Sequence, residues 1–278
     1  TEQSLPDQAS LEFKEQLNIQ NNSSITLNEN TQLFYSGFEG KGNISITDSS
    51  FTLNDNSLFL IGEEDDEASS EKPYYAPTSI SNSSITLNNR SSIEVYDENE
   101  APFTLSNSSL TLNDSASLSL TNLLLQGGST LGLNTENTTA EIGTISLNDA
   151  TINISGTLNV DTLNINSTKA KVDGEIKNVD IQINADTNFD KTFTLTESPY
   201  SDDYNFENNI TVNKGKKLSI LTPDSYKYEN GYVKGEDDED EFNRQIFMKD
   251  LTVNGGLEIS STNLYADETT FGENASLT

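Results

Sequence analysis

The chain has 278 residues, 32% of them hydrophobic, and carries 45 acidic against 15 basic residues for a formal charge of −30, with no Cys, His or Trp. That charge argues strongly against nucleic acid as a partner, because phosphates demand a basic surface, and it opposes adsorption on anionic membranes. The missing residue types exclude disulfides, thiolate zinc sites and histidine acid/base chemistry.

The chain opens at Thr1 with neither a basic n-region nor an apolar h-region, and it contains no apolar run long enough to span a bilayer. Direct membrane insertion by this segment is not expected. It reads as a mature or excised piece of a longer protein. From Ser23 onward a phrase, Ser-Ser-[apolar]-Thr-Leu-Asn, occurs four times, at 23–28, 49–54, 83–88 and 108–113. The steps between Ile25, Phe51, Ile85 and Leu110 are 26, 34 and 25 residues, and the long one contains an acidic stretch. Repetition at this interval marks a solenoid, since one repeat cannot bury its apolar stripe without the next stacked on it.

Three short strands make up each coil. One coil reads 43–47 (NISIT), 50–54 (SFTLN) and 57–61 (SLFLI). The next reads 78–81, 84–88 (SITLN) and 92–96 (SIEVY), and a third 103–106, 109–113 (SLTLN) and 117–121 (SLSLT). Apolar residues alternate with polar ones at the strand period of two, and Asn, Asp and Ser between the strands favour turns. Antiparallel hairpins in a β-sandwich are the rival. They are disfavoured because Asn-Gly and Asp-Gly turn pairs are scarce, Asp173-Gly174 being the main exception, and because like strands recur every third strand. The expected fold is all-β, a single right-handed parallel β-helix over 1–278, with weaker copies of the phrase at 143–148, 208–213 and 249–254.

Stacking assigns work to each repeated position. Ile25, Phe51, Ile85 and Leu110, with Leu27, Leu53, Leu87 and Leu112, form two inward aliphatic columns. Thr26, Thr52, Thr86 and Thr111 face solvent between them. Asn28, Asn54, Asn88 and Asn113 close the strands, where identical amides stacked at a corner hydrogen-bond along the axis as a structural ladder.

Insertions carry individuality in such a fold, and four stand out at 62–77, 97–102, 198–208 and 223–245. The first two leave after the same strand of successive coils. Glu63, Glu64, Asp65, Asp66, Asp97 and Glu98 are therefore expected along one edge, where calcium is the cation their carboxylates would take. No EF-hand spacing accompanies them, and a solvated acidic surface accounts for the same residues. Tyr74, Tyr75, Tyr200, Tyr204, Tyr226, Tyr228 and Tyr232 sit in the same polar insertions. Tyrosine there offers apolar area and a hydroxyl at small entropic cost, so these are the candidate contact residues, with packing of the loop on its coil as the alternative.

Catalysis finds little support. Polysaccharide lyases and glycosidases built on β-helices need carboxylates or a Lys or Arg base on neighbouring coils, whereas the outward strand positions here are mostly Ser, Thr and Asn. Glu94 and Glu258 read as lone strand carboxylates. There is no Gly-x-Ser-x-Gly motif, and a serine triad of the usual kind lacks its His.

The cysteine-free coils, the short strands rich in Asn, Ser and Thr, and phrases such as Leu251-Thr-Val-Asn-Gly-Gly-Leu-Glu-Ile259 resemble passenger domains of type V secretion autotransporters. The resemblance implies a β-helical rod displayed on, or released from, a Gram-negative cell surface. It implies a non-catalytic adhesin that binds a host surface protein or glycan, or an identical passenger on a neighbouring cell in aggregation and biofilm. A polysaccharide-active β-helix enzyme and a toxin-type passenger are the alternatives.

Overall fold

The computed structural model describes residues 9–13, 16–35, 43–62, 77–95, 101–176, 179–189, 193–195, 208–221, 244–260 and 262–278. Among them there is no helix, and every strand pairing is parallel, so the chain is a β-solenoid. Each turn presents three faces. β1 (Ser10–Phe13) lies on the third face, β2 (Gln16–Ile19) on the first and β3 (Ser24–Leu27) on the second. β4 (Gln32–Tyr35), β5 (Asn43–Thr47), β6 (Ser50–Leu53) and β7 (Leu58–Ile61) repeat that order. So do β8 (Thr78–Ser81), β9 (Ser84–Leu87), β10 (Ser92–Val95), β11 (Phe103–Ser106) and β12 (Ser109–Leu112).

Beyond Leu112 the corners tighten. β13 (Ser117–Leu133) and β14 (Thr139–Ile154) each run through the third, first and second faces without a break. On the first face the register passes from Ile19 to Ile46, Ile80, Leu105, Leu125, Leu147, Ile165, Ile183, Val212, Val253 and Phe271, a column of eleven rungs. Steps of 18 residues, as from Leu147 to Ile165 and Ile183, are the bare coil; longer steps carry insertions.

The alternation of burial follows from the pleat, which turns every second side chain inward. In β6, Phe51 and Leu53 are fully buried while Ser50 and Thr52 face outward. The second-face core column runs Ile25, Phe51, Ile85, Leu110, Leu131, Ile152, each residue stacked on its equivalent. Phe51 also meets Phe59 of the third face edge-on, with ring centroids 5.3 Å apart.

Corners need backbone that most residues avoid. Between the second and third faces two successive residues have positive φ: Asp55 and Asn56, Asn89 and Arg90, Asp114 and Ser115. With the bonds Ser57 N to Asn54 O and Ser91 N to Asn88 O at 3.1 Å, each is a type I′ turn. That turn usually closes hairpins; here it makes a solenoid corner, with Asp or Asn at the first left-handed position of each, since their short polar side chains tolerate that region.

The Asn side chains before that corner form a continuous ladder. Asn54 Nδ2 donates to Asn28 Oδ1, Asn88 to Asn54, Asn113 to Asn88 and Asn134 to Asn113, all at 2.9 Å. Asn88 takes part in two of these bonds and Asn28 in one. Asn88→Ala is therefore expected to cost about 1–3 kcal/mol and Asn28→Ala about half as much, at roughly 0.5–1.5 kcal/mol per bond. Urea unfolding of the two variants checks this, and equal costs would mean that the ladder bonds contribute nothing individually.

A candidate binding trough at one corner

The first-to-second corner differs from the Asn corner, and it forms an open groove lined by polar side chains. On three of its rungs a single residue takes positive φ, Asp48, Asn82 or Asn107, whereas on the flanking rungs the pairs Asn21-Asn22 and Gly127-Gly128 do so together. The next residue is a serine that turns inward, Ser49, Ser83, Ser108 or Ser129, each buried.

These serines satisfy the corner backbone. Ser49 N donates to Ser83 Oγ, Ser83 N to Ser108 Oγ and Ser108 N to Ser129 Oγ, all at 3.1 Å. Ser83 Oγ in turn donates to Ser81 O at 2.6 Å, and Ser108 Oγ to Ser106 O at 2.8 Å. The floor is thus closed by its own hydrogen bonds. Its walls are not: Ser50, Ser84, Ser109 and Thr130 stand on one side, and the amides of Asn22, Asn82 and Asn107 on the other.

Together these residues line an open trough of about 700 Å³. Asn107 Nδ2 donates to Asn82 Oδ1 at 2.8 Å, and Ser50 Oγ to Ser24 Oγ at 3.0 Å, which spends only part of each group's capacity. Asp48 is the single charged residue in the lining.

A second groove of about 420 Å³ lies on the third face, lined by Glu94, Ser119 and Glu141 among others. The register places Glu94 beside Ser119 and Ser119 beside Glu141, so the two carboxylates point from the same column two rungs apart, ~9.5 Å. Glu94 is therefore not isolated, although its partner is 47 residues away in sequence. Ser92 Oγ donates to it at 3.0 Å. Glu258 has partners too. Lys217 Nζ lies 2.5 Å from Glu258 Oε2 and Ser219 Oγ donates to the same oxygen at 3.0 Å. The hydrogen bonds from Lys217 and Ser219, with the Lys217 charge, hold this carboxyl below its usual range.

The loop residues named as contact or calcium candidates, Tyr74, Tyr75, Tyr200, Tyr204, Tyr226, Tyr228, Tyr232, Glu63, Glu64, Asp65, Asp66, Asp97 and Glu98, lie outside the described residues. The strands beside them are described. Segments 63–76 and 96–100 each join a third-face strand to a first-face strand, β7 to β8 and β10 to β11. They leave at a different corner from the trough. Among the described residues no three acidic side chains gather closely enough to hold a metal ion.

The sequence reading missed the trough because its signal was the first Ser of each phrase, which looked like turn filler. It also missed a second amide ladder. Asn184 Nδ2 donates to Asn166 Oδ1 at 2.8 Å and Asn213 to Asn184 at 2.6 Å, at the corner after the first face rather than the second. The signal was present as an apolar residue followed by Asn at 165–166, 183–184 and 212–213. Comparison with family models, with curated proteins and with solved structures finds no match.

Proposed function

We propose that the chain is a non-catalytic adhesive rod of the autotransporter-passenger type, which binds a host surface or an identical rod through its polar faces. The observation that carries this reading is the identity of outward residues from rung to rung. Ser24, Ser50, Ser84 and Ser109 are in register with one another, and so are Thr26, Thr52, Thr86 and Thr111. A surface that repeats one hydrogen-bonding group every ~4.8 Å suits many weak, equal contacts with an extended partner. Such contacts add through effective concentration once the first has formed. A catalytic surface instead needs unlike groups converging on one bond.

Beads coated with the folded chain are expected to attach to a host cell layer or to each other well above beads coated with heat-unfolded chain. Equal attachment by the two, or none by either, would remove the adhesive reading. A polysaccharide-active enzyme is favoured by one observation, the Glu94 and Glu141 carboxylates across Ser119, at the wide spacing that leaves room for a water between an acid and a base. Release of reducing ends from a neutral polysaccharide, abolished by Glu141→Gln, would move the assignment to that class.

A further inference from the structure

We propose that the trough at the first-to-second corner takes a linear, neutral glycan in extended conformation, laid parallel to the solenoid axis; this names the ligand class of the adhesive surface and rests on that reading.

Shape comes first. The lining is drawn from five successive rungs, with Asn22, Asp48, Asn82, Asn107 and Gly128 marking one residue from each. The trough is thus straight and about four rung spacings long, ~19 Å. It fits a rod-like polymer along its length better than a compact molecule. A chain that winds about its own axis would leave the line of wall groups within a few units.

Chemistry selects the kind of polymer. The walls offer hydroxyls from Ser50, Ser84 and Ser109 and amides from Asn82 and Asn107, all of which both donate and accept. A polyhydroxylated ligand presents the same mixed groups and can pair with either wall without fixing which side donates. The buried Ser83 and Ser108 hydroxyls are committed to backbone carbonyls, so the floor does not compete for the ligand. No aromatic or aliphatic side chain lines the trough. An extended peptide would find no pockets for its alternating side chains, which is where peptide grooves take their specificity.

Charge removes the acidic polymers. The trough contains Asp48 and no cation, and the chain as a whole carries −30. Uronate or sulfate groups would be repelled both locally and at long range.

Register sets the preferred linkage. Because a wall hydroxyl recurs on four successive rungs, at Ser50, Ser84, Ser109 and Thr130, affinity should grow with each unit added until the trough is filled, and β-linked extended chains should be preferred over helical α-linked ones.

Titration calorimetry with cellohexaose, maltohexaose and a hyaluronan hexasaccharide tests this on the intact chain. Cellohexaose is expected to bind at least tenfold more tightly than cellobiose, and more tightly than either other hexasaccharide. Ser84→Tyr and Ser109→Tyr should lower cellohexaose affinity at least tenfold by filling the trough. Asn82→Asp retains the acceptor for Asn107 but loses the amide donor and adds a charge beside Asp48, so it should weaken binding. Thr86→Tyr, outward on the same strand as Ser84 but outside the lining, should bind within twofold of the unaltered chain. No measurable cellohexaose binding, or equal losses in Ser84→Tyr and Thr86→Tyr, would overturn the proposal. Coated beads separate the two failures. Adhesion unchanged by Ser84→Tyr, with no hexaose bound, removes the trough and leaves the adhesive rod, whereas hexaose binding without bead adhesion removes the rod's adhesive role and leaves the trough.

Discussion

Phe51→Ala is expected to cost about 3–5 kcal/mol, and to spend that loss on the first turns of the solenoid rather than on the whole chain. Phe51 is fully buried, stacked between Ile25 and Ile85 in the second-face column and edge-on to Phe59 of the third face. Truncation leaves a cavity between two β-branched side chains whose χ1 freedom is small, so neighbours cannot swing in to fill it. It also removes an aromatic pair of a kind worth roughly 0.5–1.5 kcal/mol beyond the area it buries. In a solenoid each rung touches only its neighbours, so β3 and β6 should loosen while β13 and β14 stay paired. Hydrogen exchange reads this directly. Protection should fall across 16–61 in the variant and persist across 117–165, and Phe51→Leu should lose less than about 1.5 kcal/mol. Uniform loss of protection along the chain would mean that the turns unfold as one cooperative block.

Every position of Ser-Ser-[apolar]-Thr-Leu-Asn now has a physical role, though the sequence disclosed only part of it. The apolar residue and the Leu are the buried columns, as their alternation implied, because burial on one face of a strand leaves a period of two in any chain. The Asn side chains pair along the axis at 2.9 Å, which identical residues at strand ends suggested. The two serines were not separable by pattern. One, as at Ser83, is buried and bonded to the rung beside it; the other, as at Ser84, faces the trough. What divides them is a single positive φ at Asn82, and a backbone angle of that kind leaves no periodic trace. The Glu94 and Glu141 pair was hidden for a related reason. Their closeness depends on how many residues each intervening corner consumes, and corner lengths vary from coil to coil, whereas rung spacing does not. The Tyr-bearing and acidic insertions carry no repeat, so nothing in the coil pattern constrains them.

Gly174→Ala is expected to destabilise the chain by roughly 2–6 kcal/mol, adding backbone strain of about 1–3 to a steric clash of similar size. Asp173-Gly174 has the composition of a tight hairpin turn, yet it lies inside β16 (Lys171–Ile176), which crosses the second-to-third corner without any turn at all. Thr151, Ile152 and Asn153 pair with Lys171, Val172 and Asp173 on one side of the corner, and Gly174 pairs onward with Phe193. The bend is made by Gly174 alone, at φ +127, a region closed to residues with a Cβ. A methyl placed there would stand 2.5 Å from Ile154 O and 2.6 Å from Ile154 Cβ in the neighbouring rung. Neither is the mobile end of a side chain, and Ile154 is held in the β13 to β14 ladder through its pairing with Leu133. The strain and the clash can be separated. Gly128 also has positive φ, at +82, but nothing lies within 4 Å of its added Cβ, so Gly128→Ala should show only the conformational cost, about 1–2 kcal/mol. Chemical unfolding of both variants gives the clash by difference, and a Gly174→Ala variant no less stable than Gly128→Ala would show that the neighbouring turn yields. The expected gap follows from the short coil itself. A turn of 18 residues has no spare residues for a loop at each corner, so backbone must approach backbone, and one of its three corners admits no side chain.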